Sequence, residues 1–290
     1  MEARAAFRLA RVGLHLLWGA TTVAVVYPWA SLPVRRALKQ RWSRQLVGIL
    51  GMKVGSGGTA PIPPGLLVSN HVSWLDIYVI NALAPAAFVS KDDVQHWPLI
   101  GWLCAKTETI FLARGSRAAA QRTRETMIAC LRDGARVAVF PEGTTTDGSR
   151  VLPFHAALFQ SAIDAGTPVV PLALRYADAA GRPSRAPAYD GDVTLWQCLR
   201  AIARAEGLAA RIEALAPFDT HSCDRRHLAA HCHRAIAARL EAPEAAIPSP
   251  TASPPGRRAS GTHAGRPDAP PSDCHPTDSP NPAPAACPSA

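Results

Sequence analysis

The 290-residue chain is 48% hydrophobic and 18% charged, with 27 prolines, seven cysteines and a formal net charge of +9. That length holds one large domain or two small ones, and the composition excludes a coiled coil, a collagen-like chain, a disulfide scaffold and a polytopic membrane protein. The charge is uneven: residues 1–50 carry eight Lys/Arg against one acidic residue, beside the most apolar stretch.

Val12–Val34 contains no charged residue. Its 23 residues are long enough to cross a bilayer as a helix, for which about 20 suffice. Trp18, Tyr27 and Trp29 suit an interfacial position, and six basic residues follow the stretch (Arg35, Arg36, Lys39, Arg41, Arg44, Lys53) against three before it (Arg4, Arg8, Arg11). That bias would keep the downstream domain cytoplasmic. A monotopic helix or a helical hairpin dipping into one leaflet fits equally well; a buried soluble helix and a cleaved signal peptide are the competing readings. The expected place is the inner (cytoplasmic) membrane, with the basic flank drawn to anionic lipid. An odd number of cysteines without a C-x-x-C pair fits a reduced compartment.

A basic amphipathic stretch covers about 35–50, and residues 55–65 are rich in turn formers. Short apolar runs at 66–68, 87–89, 109–112, 137–140 and 169–174 then read as buried strands, and 211–215 alternates like a late one. Helical patterns cover 74–83, 98–105, 117–133, 155–165 and 223–240. Strands separated by helices predict an α/β domain with a mixed, largely parallel sheet flanked by helices. The expected division is a membrane-associated segment at 1–54, a catalytic domain at 55–241 and a disordered tail at 242–290, where Pro, Ala and Ser replace large apolar residues.

Three polar clusters stand at strand ends, where α/β folds place their sites. In the first, Asn70-His71-Val72-Ser73-Trp74-Leu75-Asp76, a His and an Asp five apart would point about 140° away from each other on one helix. They meet only if His71 lies on the turn before the helix, with Ser73 as N-cap. An imidazole held by a carboxylate suits a general base acting on a hydroxyl; the simpler alternative is a capping box between Ser73 and Asp76. The second cluster, Phe140-Pro141-Glu142-Gly143-Thr144-Thr145-Thr146-Asp147-Gly148, offers a carboxylate, flexible glycines and hydroxyls for a polar cradle, or an ordinary hydrophilic turn. The third is Arg114, with Lys91 and Lys106, as phosphate contacts or solvated charges. Cys223, His227 and His231 recur at helical spacing but lack a fourth ligand, so no metal is expected.

Taken together and in order, these segments resemble the glycerolipid acyltransferase family that makes phosphatidic acid from lysophosphatidic acid. Its H-x4-D motif matches residues 70–76, its arginine motif Ile110–Arg114, its F-P-E-G-T motif Phe140–Thr144, and its V-P strand Val169–Leu174. Ala113 stands where the family usually has Asp, and Thr145 where it usually has a basic residue. The resemblance implies acyl transfer from acyl-CoA or acyl carrier protein to the hydroxyl of a membrane lysolipid. His71 would be the base and Asp76 its orienting partner. Arg114, Glu142, Gly143 and Thr144 would bind the substrate, with Lys91 secondary, and no cofactor is required. The acceptor is lysophosphatidic acid, or another lysolipid such as a lyso-ornithine lipid. A hydrolase using His71 on water and a non-catalytic lipid-binding protein are the alternative classes. Nucleic acid is not an expected partner, because the basic excess lies beside an apolar stretch rather than on an aromatic-rich face.

Overall fold

The computed structural model describes residues 2–57, 61–112, 116–221 and 223–242. The expected tail at 242–290, except its first residue, and the candidate Arg114 lie outside the described residues.

The uncharged N-terminal stretch is not one helix. Helix α1 (Glu2–Val25) ends before a 3-10 turn at Tyr27–Trp29, and helix α2 (Leu32–Ile49) runs back. Pro28 and Pro33 sit in the first turns of the 3-10 and α2 segments, where a missing N–H costs nothing and the fixed φ favours helix entry. Glycine at position 19 lets the two helices close: a Cβ there would lie 2.5 Å from the Trp42 indole nitrogen. The Trp42 ring stacks on His15 at 4.6 Å, its Nε1 donates to the His15 carbonyl at 3.1 Å, and the His15 Nε2 meets the Trp42 carbonyl at 3.0 Å. The stretch therefore takes the hairpin form.

Among the described residues, seven strands build one sheet: β1 (Lys53–Ser56), β2 (Gly65–Ser69), β3 (Ala87–Lys91), β4 (Ile110–Leu112), β5 (Arg136–Val139), β6 (Val169–Ala177) and β7 (Ala209–Ala214), in the order β1-β7-β6-β2-β5-β3-β4. All pairs are parallel except β6 with β7, which is the mixed, largely parallel sheet expected. Strand β1 falls in what read as the start of a turn-rich loop; its Lys-Val-Gly-Ser sequence is largely exposed, so it carries no apolar signal. Helices cover both faces. Leu67, Val170, Leu172 and Leu174 pack with α2, with α3 (Asp76–Leu83) and with α7 (Leu195–Arg204). Leu66, Val68, Val137 and Val139 pack with α5 (Arg117–Arg132), α6 (Gln160–Ala165) and α8 (Arg225–Glu241). Burial on both faces explains why the inner strands read as continuous apolar runs. The short α4 (Ile100–Lys106) completes the set.

Part of the basic flank bonds into the fold, while Arg41 and Lys53 are exposed. Arg44 Nε donates to the Ala82 carbonyl at 2.6 Å, Gln40 to the Leu83 carbonyl at 2.8 Å, and Lys39 Nζ to the Ala86 carbonyl at 3.0 Å. Lys39 thus holds the carbonyl just before β3, and Arg44 and Gln40 satisfy carbonyls left open at the C-terminal end of α3, where cations are favoured. Arg8 does the same for α7, donating to the carbonyls of Ala203 and Ala205 at 2.9 Å each.

Candidate active site

Parallel strands bring their C-terminal ends to one edge of the sheet, and the chain leaves β2 there through Asn70 and His71. Asn70 is buried and bridges to β6: its amide donates to the Leu174 carbonyl at 3.0 Å and its carbonyl oxygen accepts the Leu174 N–H at 2.8 Å. That clamp sets the strand end from which His71 projects. The His71 Nδ1 lies 2.9 Å from the Asp76 Oδ2, and the Asp76 side chain is fully buried while His71 is 18% exposed. The same Oδ2 accepts the N–H groups of Val72 at 2.8 Å and Ser73 at 3.0 Å. Helix α3 begins at Asp76, and Ser73 Oγ accepts the Leu75 N–H at 3.3 Å in the turn before it. Ser73 is not the helix N-cap expected from the sequence: Leu75 takes that position without a side-chain cap, and what remains of a capping box is the Ser73 N–H on the Asp76 Oδ2 that also holds the imidazole.

The Phe140 turn after β5 closes against this segment. Its ring stacks on the His71 imidazole with centroids 3.9 Å apart and planes at 10°. Glu142, buried, accepts the His71 backbone N–H through Oε1 and the Leu152 N–H through Oε2, each at 2.8 Å. Burial pushes the Glu142 carboxyl up, and these two N–H groups pull only partly against it. Thr146 N–H donates to the His71 carbonyl at 2.9 Å, so both backbone groups of His71 are held by the Phe140–Gly148 segment. Gly143 has φ +71°, and a Cβ on it would meet the His155 ring at 3.2 Å. That position needs glycine for both reasons.

Of the residues expected from the sequence, His71, Asp76 and Glu142 come together. Gly143 and Thr144 lie exposed on the same turn. Lys91 is exposed at the end of β3, on the same sheet edge but in no bond with the cluster. Cys223, His227 and His231 stand near α8, where His231 packs on the Phe218 ring at 4.2 Å; among the described residues no three potential metal ligands gather. Tyr176, from the end of β6, was not foreseen: its hydroxyl donates to the Asp76 Oδ1 at 2.6 Å. Its signal was phase, because Leu172, Leu174 and Tyr176 face one side of the strand.

Chemically, the arrangement is an imidazole whose Nδ1 is tied to a buried carboxylate, leaving Nε2 as the nitrogen able to take a proton. A family model described as Acyltransferase matches residues 54–175. The lyso-ornithine lipid O-acyltransferase of Pseudomonas aeruginosa is 39% identical over 207 residues, covering 70% of this chain and 78% of that protein. The 1-acyl-sn-glycerol-3-phosphate acyltransferase of Neisseria meningitidis serogroup B is 38% identical over 180 residues, covering 61% and 69%. The crystal structure of the 1-acyl-sn-glycerophosphate (LPA) acyltransferase PlsC from Thermotoga maritima shares the fold, with a TM-score of 0.57 at 20% identity, covering 81% of this chain and 96% of that one.

Proposed function

Because this chain belongs to the acyltransferase family of glycerolipid synthesis, we propose that it moves a fatty acyl group from a thioester to the free hydroxyl of a membrane lysolipid, with His71 as general base. The observation that carries this reading is the 2.9 Å contact between His71 Nδ1 and the buried Asp76. With Nδ1–H donated to Asp76, Nε2 takes the hydroxyl proton as the acceptor oxygen attacks the thioester carbonyl carbon. The C–S bond then breaks, and the proton passes from the imidazolium to the departing thiolate. Asp76 holds the tautomer and stabilises the transient imidazolium. A thioester is already activated, so the step needs no covalent enzyme intermediate. The donor is acyl-CoA or acyl carrier protein, and Arg114, Gly143, Thr144 and Lys91 are the proposed contacts to the substrates. Glu142 acts by holding the His71 backbone.

Lysophosphatidic acid is the acceptor that the set of motifs implies, and the Neisseria relative is named for that activity. One observation favours a second reading, a lyso-ornithine lipid. Thr145, at the position where a basic residue is usual, donates its hydroxyl to the Tyr189 carbonyl and supplies no cation for a phosphate. The Pseudomonas relative is named for the lyso-ornithine reaction. Both acceptors live in a bilayer, and the hairpin offers a way to reach them. The α1 segment Glu2–Trp29 has a mean hydropathy of 1.5 over its most apolar window, and Leu14, Leu17, Trp18 and Trp29 are exposed on it. We read it as dipping into the cytoplasmic leaflet of the inner membrane with the sheet domain in the cytoplasm.

The test is an acceptor screen on purified membranes with a radiolabelled acyl donor, comparing lysophosphatidic acid, lyso-ornithine lipid and lysophosphatidylcholine. Labelled diacyl product that vanishes in His71→Ala supports the reading. Turnover retained by His71→Ala removes the base, and free fatty acid released without lysolipid identifies a hydrolase instead.

A further inference from the structure

Asp76 accepts four hydrogen bonds, and one comes from a residue outside every motif. Oδ2 receives the His71 Nδ1–H and the N–H groups of Val72 and Ser73, at 2.8 to 3.0 Å. Oδ1 receives the Tyr176 hydroxyl at 2.6 Å. Both partners are buried, with Asp76 at 0% and Tyr176 at 4% exposure. The phenol reaches the carboxylate from β6, a hundred residues along the chain, beside the strand end that Asn70 clamps to Leu174. Burial and the neighbouring carboxylate hold the phenol well above its ordinary range, so it stays a neutral donor at any working pH.

We propose that Tyr176 is a positioning residue of the His71–Asp76 pair, fixing the plane of the carboxylate and tempering the charge it presents to the imidazole. This inference rests on the reading of His71 as the base. Three donors hold Oδ2, and the fourth, on Oδ1, fixes the plane of the carboxylate and with it the orientation of the imidazole. The hydroxyl also draws negative charge toward Oδ1. That weakens the pull of Asp76 on an imidazolium, because a hydrogen bond to the charged form of one partner lessens what it offers the other. A histidine beside a buried carboxylate lacking such a donor holds its proton to higher pH, and a protonated imidazole accepts nothing from a hydroxyl.

The experiment is a pH–rate profile of acyl transfer, measured on membranes with a labelled acyl thioester and the acceptor that gives the most product. Tyr176→Phe keeps the ring and removes the donor. Its acid limb should move to higher pH by about half to one unit, with kcat lower and the KM for lysolipid little changed. Replacing Tyr176 by 3-fluorotyrosine strengthens the donor without disturbing the packing, and should move the limb to lower pH. In an Asp76→Asn background neither change should shift the limb further, since the route through Asp76 is gone. A limb that stays fixed in both Tyr176 variants overturns the proposal, as does a fall in rate that tracks only a lower melting temperature. If Tyr176→Phe does not fold, the fluorotyrosine shift alone decides. His71→Ala separates the two claims: activity in that variant sinks the reading of the base, whereas inactivity there with an unmoved limb sinks only the role of Tyr176.

Discussion

The Glu142 carboxylate holds the His71 backbone N–H at 2.8 Å, so the third motif supports the first by a bond to its main chain. Glu142→Gln keeps the shape but sets an amide NH2 against one of the two backbone N–H groups that Glu142 now satisfies. A buried donor facing a donor costs about 1–3 kcal/mol, and acyl transfer should fall roughly tenfold or more as His71 loosens. The pH dependence has a definite sign. Burial raises the Glu142 carboxyl above 4.5, so the native state binds its proton more tightly than the unfolded chain does. The contribution to stability is therefore present below the unfolded value and lost as pH rises through the raised one. The melting temperature of the parent minus that of Glu142→Gln should decline between pH 4 and pH 7. A difference that grows with pH would contradict this.

Phe140 lies under the imidazole at 3.9 Å, nearly parallel to it, and packs on Phe88 at 5.9 Å behind. A stack of this kind is worth about 0.5–1.5 kcal/mol beyond the area it buries. Phe140→Leu keeps most of the apolar volume and removes the flat support, so kcat should drop by about threefold to tenfold while KM stays near its parent value. Steady-state kinetics on membranes decide it: a rise in KM alone would place Phe140 in acceptor binding.

The strands were legible because β2, β5 and β6 are buried on both faces and carry unbroken apolar runs. The His71–Asp76 contact was legible for a different reason: five-residue spacing across a turn and a helix start admits only one meeting geometry. Strand β1 was not, since an edge strand with Gly55 and exposed ends has no pattern to read. Helix α7 left a signal that went unused, a capping box between Thr194 and Gln197. The capping carbonyls of α3, the Tyr176 hydroxyl and the antiparallel turn of β7 are tertiary facts. Each depends on which distant segment lands beside it, and local propensity carries no record of that.

Glu108 ties the hairpin to the sheet domain. Arg36 Nη2 and Lys39 Nζ both reach its carboxylate at 2.8 Å, and Lys39 is 8% exposed. Glu108 itself has φ +65°, a left-handed conformation that a non-glycine residue holds only when its surroundings fix it. Burial alone would raise its carboxyl, but Lys39 and Arg36 outweigh that and leave it below 4.5, while burial lowers the Lys39 ammonium. A lowered acid contributes stability above its unfolded value and loses it as pH falls through the folded one. Glu108→Gln should therefore melt below the parent at pH 7 and converge with it toward pH 3. Lys39→Met, which leaves Glu108 with Arg36, should cost about 1–3 kcal/mol at pH 7, or roughly 2–10 °C in melting temperature. Curves for both variants that parallel the parent at every pH would show that the pair contributes nothing.

The hairpin prediction concerns its outer face. Because Arg36, Lys39 and Arg44 bond inward to Glu108 and to the carbonyls of α3, the proposed attachment to a bilayer should come chiefly from apolar area. Leu14, Leu17 and Trp18 are 68%, 62% and 63% exposed on α1, and burying a side chain of this size is worth about 1.5–3 kcal/mol. Replacing all three by Ser should release most of the protein from vesicles in a sedimentation assay. The loss should be nearly independent of salt and of the fraction of anionic lipid, since screening acts on charge and not on area. The outcome against this view is equally plain: binding that survives the triple change but collapses in 0.5 M salt would return the role to Arg41, Lys53 and the other exposed cations. Activity on lysolipid held in detergent micelles should persist in the triple variant, because none of the three residues touches the His71 cluster.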